Sequence, residues 1–242
     1  MRQTRLLDGD ALVLTSALWQ TNAIAVRAGD ALVLVDSVVL PDEVRALPRP
    51  DALLATHAHF DHLLGTAAFP ELPLHAGPDT VALLREDPDA PARELAERDA
   101  ELYLERAAPL RLDRLADAGD LAFERVDAPG HAADGSAFLE PERGLLLPGD
   151  YLIEVEIPLI SQAGSREAYL ATLDRLAPLV ERAHVVVPGH GPTLGRARAR
   201  ELLDLDRRYV ERLEDGALRG GGDHRQRRIH VDNLRKHGHA RT

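Results

Sequence analysis

The 242-residue chain contains no cysteine. Disulfides, cysteine-based zinc fingers, iron–sulfur clusters and cysteine nucleophiles are therefore excluded, and any metal must be held by His, Asp or Glu. Lysine is nearly absent too: Lys236 is the only one, and arginine carries almost all the positive charge beside abundant alanine. That pattern reads as genome composition bias, not function. No apolar window reaches the roughly 18 residues a spanning helix needs. The N-terminal apolar stretch at residues 11–14 is too short for a secretory leader, and Asp8 and Asp10 interrupt its surroundings. The expected location is therefore cytoplasmic. Positive charge is outweighed, with 29 Lys+Arg against 40 Asp+Glu and a net charge of −11, which speaks against binding to nucleic acid phosphates.

Hydrophobic residues make up 45% of the chain, enough for a substantial core, and 11 histidines are spread along it. The first third reads as short strands at residues 11–15, 22–27 and 31–35, with Gly29-Asp30 as a hairpin turn signal between the last two. Asp36 follows the third strand. A short helix is expected at 41–47, opened by Pro41, and a buried strand at 51–56. The spacing predicts helix over 78–107, strands at 121–126, 136–139 and 144–147, helix at 166–176, a strand at 184–187, and a long charged amphipathic helix at 196–213. Gly220-Gly221-Gly222 reads as a flexible joint. Beyond it, residues 219–242 carry seven Arg/Lys against two Asp. Strand-rich halves alternating with helices point to two sheets covered by helices, an α/β layered fold. The expected division is a catalytic domain at 1–195 and a C-terminal helical extension with a basic tail at 196–242, covering or flanking the site.

One segment concentrates chemistry. In Thr56-His57-Ala58-His59-Phe60-Asp61-His62, three His and one Asp fall within six residues, just past a strand end. Loops at strand ends are where α/β proteins place functional groups. Imidazole and carboxylate suit zinc and similar ions. This pattern would arise by chance in such a composition only about 0.002 times. In an extended loop His57 and His59 point the same way, leaving Asp61 and His62 to turn elsewhere. Three later turns each place a His or Asp directly after Pro-Gly: His131, Asp150 and His190. Glycine there lets the backbone bend so that the next side chain faces a shared centre.

The set His57-x-His59-x-Asp61-His62, His131, Asp150 and His190, in that order, resembles the metallo-β-lactamase superfamily. It is most similar to the all-His/Asp branch that includes the hydroxyacylglutathione hydrolases. The resemblance covers residues 22–193 and includes Asp36, which matches an early family aspartate. It implies a four-layer αββα sandwich and a binuclear metal site with two Zn²⁺, iron or manganese being the alternative ions. His57, His59 and His131 would bind the first ion and Asp61, His62 and His190 the second, with Asp150 bridging. Asp36 would orient a ligand imidazole or the loop. A hydroxide held between the ions would attack a carbonyl carbon. Asp61 and Asp150 are thus the candidate catalytic residues, Asp61 helping to move a proton to the leaving group. The absence of cysteine disfavours a β-lactamase of the type with a Cys ligand, and His59 disfavours the flavodiiron branch.

The expected reaction is hydrolysis of an ester, thioester or lactone by a thioesterase- or lactonase-like enzyme. Its expected partner is a small molecule, with no nucleic acid, no membrane, and a homodimer as one option. Two other readings stand beside it. One is a persulfide-dioxygenase-like oxidoreductase with one iron on His57, His131 and Asp150. The other is a non-catalytic metal-binding module; a nuclease is weaker. Tyr151, next to Asp150, is a weak candidate for substrate contact, and its packing role is the favoured reading. His75 and His184 read as structural. His224, His230, His237 and His239 read as part of a polar helix and tail, not as a second metal site.

Overall fold

The computed structural model describes residues 1–6, 9–215 and 222–237. The chain forms two compact units that divide between Arg125 and Val126.

The first unit is built on a seven-stranded sheet with its strands in chain order. Strands β1 (Arg2–Leu6), β2 (Ala11–Thr15), β3 (Asn22–Ala28) and β4 (Ala31–Val35) form an antiparallel meander. From β4 onward the sheet turns parallel through β5 (Ala52–Ala55), β6 (Leu74–Ala76) and β7 (Leu115–Asp117). Each parallel step needs a crossover, and helices supply it. Helix α1 (Pro41–Arg45) joins β4 to β5, and α2 (Phe60–Leu63) and α3 (Gly65–Ala68) join β5 to β6. Helices α4 (Pro78–Glu86) and α5 (Ala90–Leu102) join β6 to β7. Strand β5 is buried along its whole length, as expected of a parallel strand covered on both faces. Leu34, Leu53, Phe60, Leu63, Leu64, Leu84 and Leu95 share one apolar core, so α2 is anchored by its own Phe60 and Leu63.

The second unit carries a five-stranded sheet, ordered β12-β11-β10-β9-β8. Its strands are β8 (Glu124–Asp127), β9 (Ser136–Glu140), β10 (Leu145–Leu147), β11 (Val185–Val186) and β12 (Leu194–Gly195). The β9–β10 hairpin is antiparallel, and β10 runs parallel to β11, with Leu145 opposite Val185. The crossover between them is α6 (Arg166–Arg182), capped by the Ser165 hydroxyl, which accepts the Ala168 N–H at 3.1 Å. Helices α7 (Arg196–Glu211) and α8 (His224–His237) complete the unit. Leu173, Leu176, Val180, Leu202, Tyr209, Val210 and Ile229 join Leu139 and Leu146 in its core. No helix among the described residues is long and apolar enough to cross a membrane.

Several boundaries differ from the sequence expectation. The helical stretch at 78–107 is two helices, broken at Asp87-Pro88, because the residue before proline is pushed out of the helical region. Helix α6 runs past its expected end at Leu176 and carries Pro178 inside it. Burying Leu179 and Val180 offsets the hydrogen bond that proline removes. The strand expected at 121–126 begins at Glu124, since residues 121–123 are bent locally, the Phe123 N–H donating to the Leu121 carbonyl at 2.8 Å. Residues 224–237 of the basic segment form a helix with Ile229 and Asn233 buried, not a loose tail. Gly220, Gly221 and His239 lie outside the described residues.

A buried carboxylate ties α1 to the β2–β3 turn. Glu43 accepts the Ser16 hydroxyl at 2.5 Å and the Ala17 N–H at 3.0 Å. Burial by itself would raise the Glu43 pKa, but these donors outweigh it and hold the carboxyl below the usual glutamate value. A depressed folded pKa means that the stabilisation is complete above the unfolded-state value of about 4.3 and is lost as the pH falls through the folded value. Glu43→Gln is expected to cost about 1–3 kcal/mol at pH 7 and much less near pH 3. Urea midpoints at the two pH values measure this; equal losses at both would refute the ionised role.

Candidate metal centre

In the first unit, Asp36 and His57 stand immediately beyond the C-terminal ends of the neighbouring parallel strands β4 and β5. The ladder continues past the strands, with the Asp36 N–H bonded to the Leu54 carbonyl at 2.8 Å. Asp36 holds a left-handed backbone at φ 55°, a conformation that Asp tolerates better than most residues. This turns its carboxylate across the sheet end. Oδ1 accepts the Thr56 N–H at 2.8 Å, Oδ2 accepts the Thr56 hydroxyl at 2.9 Å, and His62 Nδ1 lies 3.0 Å from Oδ2. The Thr56 oxygen sits 3.0 Å from His57 Nδ1. Having given its proton to Asp36, that oxygen is an acceptor, so the His57 proton sits on Nδ1. The Nε2 atom of His57 is thereby left as a lone-pair donor for a cation.

The short helix α2 then presents the rest of the motif. His59 precedes it, and Asp61 and His62 lie within it. His57 Nε2 and His59 Nδ1 converge to 3.0 Å, and Asp61 Oδ1 lies 3.8 Å from His62 Nε2. The expected pairing of His57 with His59 is what the backbone produces.

The second unit repeats the device. Asp150 and His190 follow the neighbouring parallel strands β10 and β11, and their turns are laced by the Gly189 N–H donating to the Gly149 carbonyl at 2.8 Å. Asp150 Oδ2 lies 3.4 Å from His190 Nε2 and 3.4 Å from His131 Nε2. His131 Nδ1 lies 2.8 Å from the Leu159 carbonyl, an acceptor only, so its proton is on Nδ1 and Nε2 is again the lone-pair atom. The left-handed glycine of the third turn is Gly191, after the histidine, where the Pro-Gly pattern pointed to Gly189.

These spacings suit a metal. Ligand atoms around a tetrahedral ion with bonds of about 2.0–2.1 Å stand about 3.3 Å apart. The pairs at 3.0 and 3.4 Å match that edge, and every donor is a neutral imidazole nitrogen or a carboxylate oxygen. His57, His62, His131 and His190 are all at most 4% exposed. Each unit thus presents closely spaced His and Asp donors of the kind that suit a divalent cation.

Tyr151 serves another purpose than substrate contact. It is 2% exposed, its hydroxyl accepts the His131 N–H at 2.9 Å, and the Pro129 carbonyl lies 2.8 Å away as its acceptor. Burial pushes its pKa well above the usual tyrosine value, so the hydroxyl keeps the proton it donates. Its role is to fix the His131 turn. His75 and His184 are likewise structural, their Nδ1 atoms 3.1 and 3.0 Å from the carbonyls of Asp117 and Arg143. Sequence reasoning missed Thr56 and the Leu159 carbonyl. Thr56 was findable, being a hydroxyl at the strand end beside the motif. A backbone acceptor 28 residues from its histidine leaves no sequence signal.

Fold and clusters together define a metal-dependent hydrolase. The chain belongs to the metallo-beta-lactamase superfamily, whose family model matches residues 17–190. Among curated proteins it is 28% identical over 199 residues to acyl-coenzyme A thioesterase MBLAC2 of Gallus gallus, covering 72% of this chain and 70% of that protein. The Homo sapiens protein of the same name is 26% identical, and the match spans 64% of its length. Among solved structures, TTHA1623 in a di-iron-bound form is 29% identical with a TM-score of 0.57, covering 78% of this chain and 97% of that one. The metallo-beta-lactamase from Pontibacter korlensis shares the fold with a TM-score of 0.62 at 17% identity, covering 87% of this chain and 99% of that one.

The turn that carries His131 gives a stability prediction. Gly130 has φ 129°, and a Cβ there would lie 2.4 Å from the Tyr169 backbone. Gly130→Ala is expected to cost about 2–4 kcal/mol. A thermal midpoint within a degree of wild type would show that the turn is not held against α6.

Proposed function

We propose that this chain hydrolyses acyl thioesters at a binuclear metal site, and that acyl-coenzyme A compounds are its substrate class. The observation that carries the reading is the matched ligand-edge spacing in both clusters, with the lone pairs of two imidazoles, His57 and His131, assigned by their hydrogen bonds. The thioesterase relatives supply the substrate class. As the family set implies, His57, His59 and His131 would hold one ion, Asp61, His62 and His190 the other, and Asp150 both. Zinc is the proposed metal; iron is the second reading, favoured by the di-iron-bound relative.

Bound divalent ions lower the pKa of a coordinated water toward neutrality and polarise a carbonyl oxygen. The chain's own residues make this specific. Asp36, through Thr56, keeps the His57 proton on Nδ1, and the Leu159 carbonyl does the same for His131. Tyr151 fixes the turn from which His131 projects. Asp61 carries a proton toward the leaving group. A thiolate leaving group, with an ordinary pKa near 8.5, needs less of that help than an alkoxide does. This is why thioesters rank above esters and lactones as substrates.

Elemental analysis of purified protein, followed by thiol release from acyl-coenzyme A compared with an ester and lactone panel, tests the reading. About two metals per chain are expected, with thioesters turned over fastest. His59→Ala and Asp150→Ala should each lower metal content and reduce kcat/KM by about 100-fold or more. The two substitutions fall in different clusters, so loss of metal in both supports a shared pair of ions. Full activity in either, or one iron per chain with oxygen consumption, would overturn the proposal.

A further inference from the structure

The segment between Asp150 and α6 contains no residue that a motif search would select. Its backbone nevertheless holds His131. Leu159 offers the carbonyl for His131 Nδ1, and the Ser161 N–H donates to the His131 carbonyl at 2.8 Å. A Cβ on Gly164 would meet the Gly130 carbonyl at 2.0 Å, so this strap lies directly against the His131 turn.

The other side of the strap is held by the C-terminal helix. Asn233 is fully buried at 0% exposure. Its Oδ1 accepts the Ile160 N–H at 3.0 Å, and its Nδ2 donates to the Pro158 carbonyl at 2.7 Å and to the Tyr209 hydroxyl at 3.1 Å. One amide therefore clamps the residues on both sides of Leu159. His237 Nε2 lies 3.0 Å from the Ser161 carbonyl, and Arg225 pairs with Glu156 at 2.5 Å. The Tyr209 hydroxyl in turn lies 3.1 Å from His230 Nδ1. Burial holds His230 below its ordinary pKa and pushes Tyr209 up to about 12, so a neutral imidazole accepts the tyrosine proton. The Asn233–Tyr209–His230 network is satisfied by neutral groups.

We propose that α8 is a positioning element of the metal centre, with Asn233 fixing the 158–161 strap so that the Leu159 carbonyl orients His131. The proposal rests on His131 being a metal ligand. Groups that orient a ligand imidazole typically change metal affinity by about 10–100-fold when removed. Asn233 acts one bond further out, so the lower end is expected.

The test uses the full-length, metal-loaded protein and measures zinc release to a chromophoric chelator, together with thermal midpoints of loaded and stripped protein. Asn233→Leu keeps the volume but removes the acceptor and both donations; about tenfold weaker zinc retention is expected. Asn233→Asp keeps the acceptor for Ile160 and should fall between it and wild type. If the leucine variant does not fold, the aspartate variant is read alone. Ile229→Ala, a buried apolar change on the same helix that removes no hydrogen bond to the strap, should lower the midpoint and leave zinc retention unchanged. Retention equal to wild type in the Asn233 variants would overturn the proposal, as would an equal loss in Ile229→Ala. His131→Ala separates the two levels of inference. If it too retains zinc normally, the ligand assignment fails; if it alone weakens retention, only the positioning role fails.

Discussion

The buried carboxylate of Asp36 is the constraint on which the first cluster depends. A carboxylate in that position needs donors, and the sheet provides them because β4 and β5 are neighbours in parallel register, with Leu34 opposite Leu53. Thr56 satisfies both oxygens through its N–H and hydroxyl, and His62 approaches one of them. The Thr56 hydroxyl in turn keeps the His57 proton on Nδ1 and leaves Nε2 with the lone pair. One charged group thus settles backbone direction, ring orientation and tautomer together. The left-handed backbone at Asp36 is the local strain that this arrangement requires.

The second cluster reaches the same end by different means. Two laced Pro-Gly turns put Asp150 beside His190, and a tyrosine, a carbonyl and a strap hold His131. Neutral groups suffice because they need only accept or donate one proton each. In a chain without cysteine every candidate donor is an imidazole or a carboxylate, and the rings of His57 and His131 are oriented by a hydroxyl side chain and a backbone carbonyl.

Much of the architecture was legible in the chain. The strands at 11–15 and 31–35 appear where their apolar runs and the Gly29-Asp30 turn put them. What escaped had weak local signals. Strand β1 is short and polar, β6 has three residues, and β12 has two, so each exists because a neighbour offers a ladder. Helix α6 runs past Leu176 because core burial outweighs the cost of Pro178, and residues 224–237, read as part of a polar helix and tail, bury Ile229 and Asn233. Tyr151 was noticed for its place beside Asp150, but burial, invisible in one dimension, decided its role.

By itself, the sequence determined the chemistry available: seven imidazoles and carboxylates in a fixed order, four of them in one short motif and three directly after Pro-Gly, with thiol chemistry excluded. It also determined that the motif would begin just past a strand, since period and turn residues are local properties. Only the tertiary structure decided which nitrogen of His57 and His131 carries the proton, and that α8 secures the strap behind His131. Those outcomes depend on contacts between residues 20 to 76 positions apart, and no local pattern encodes which backbone group will arrive beside which ring.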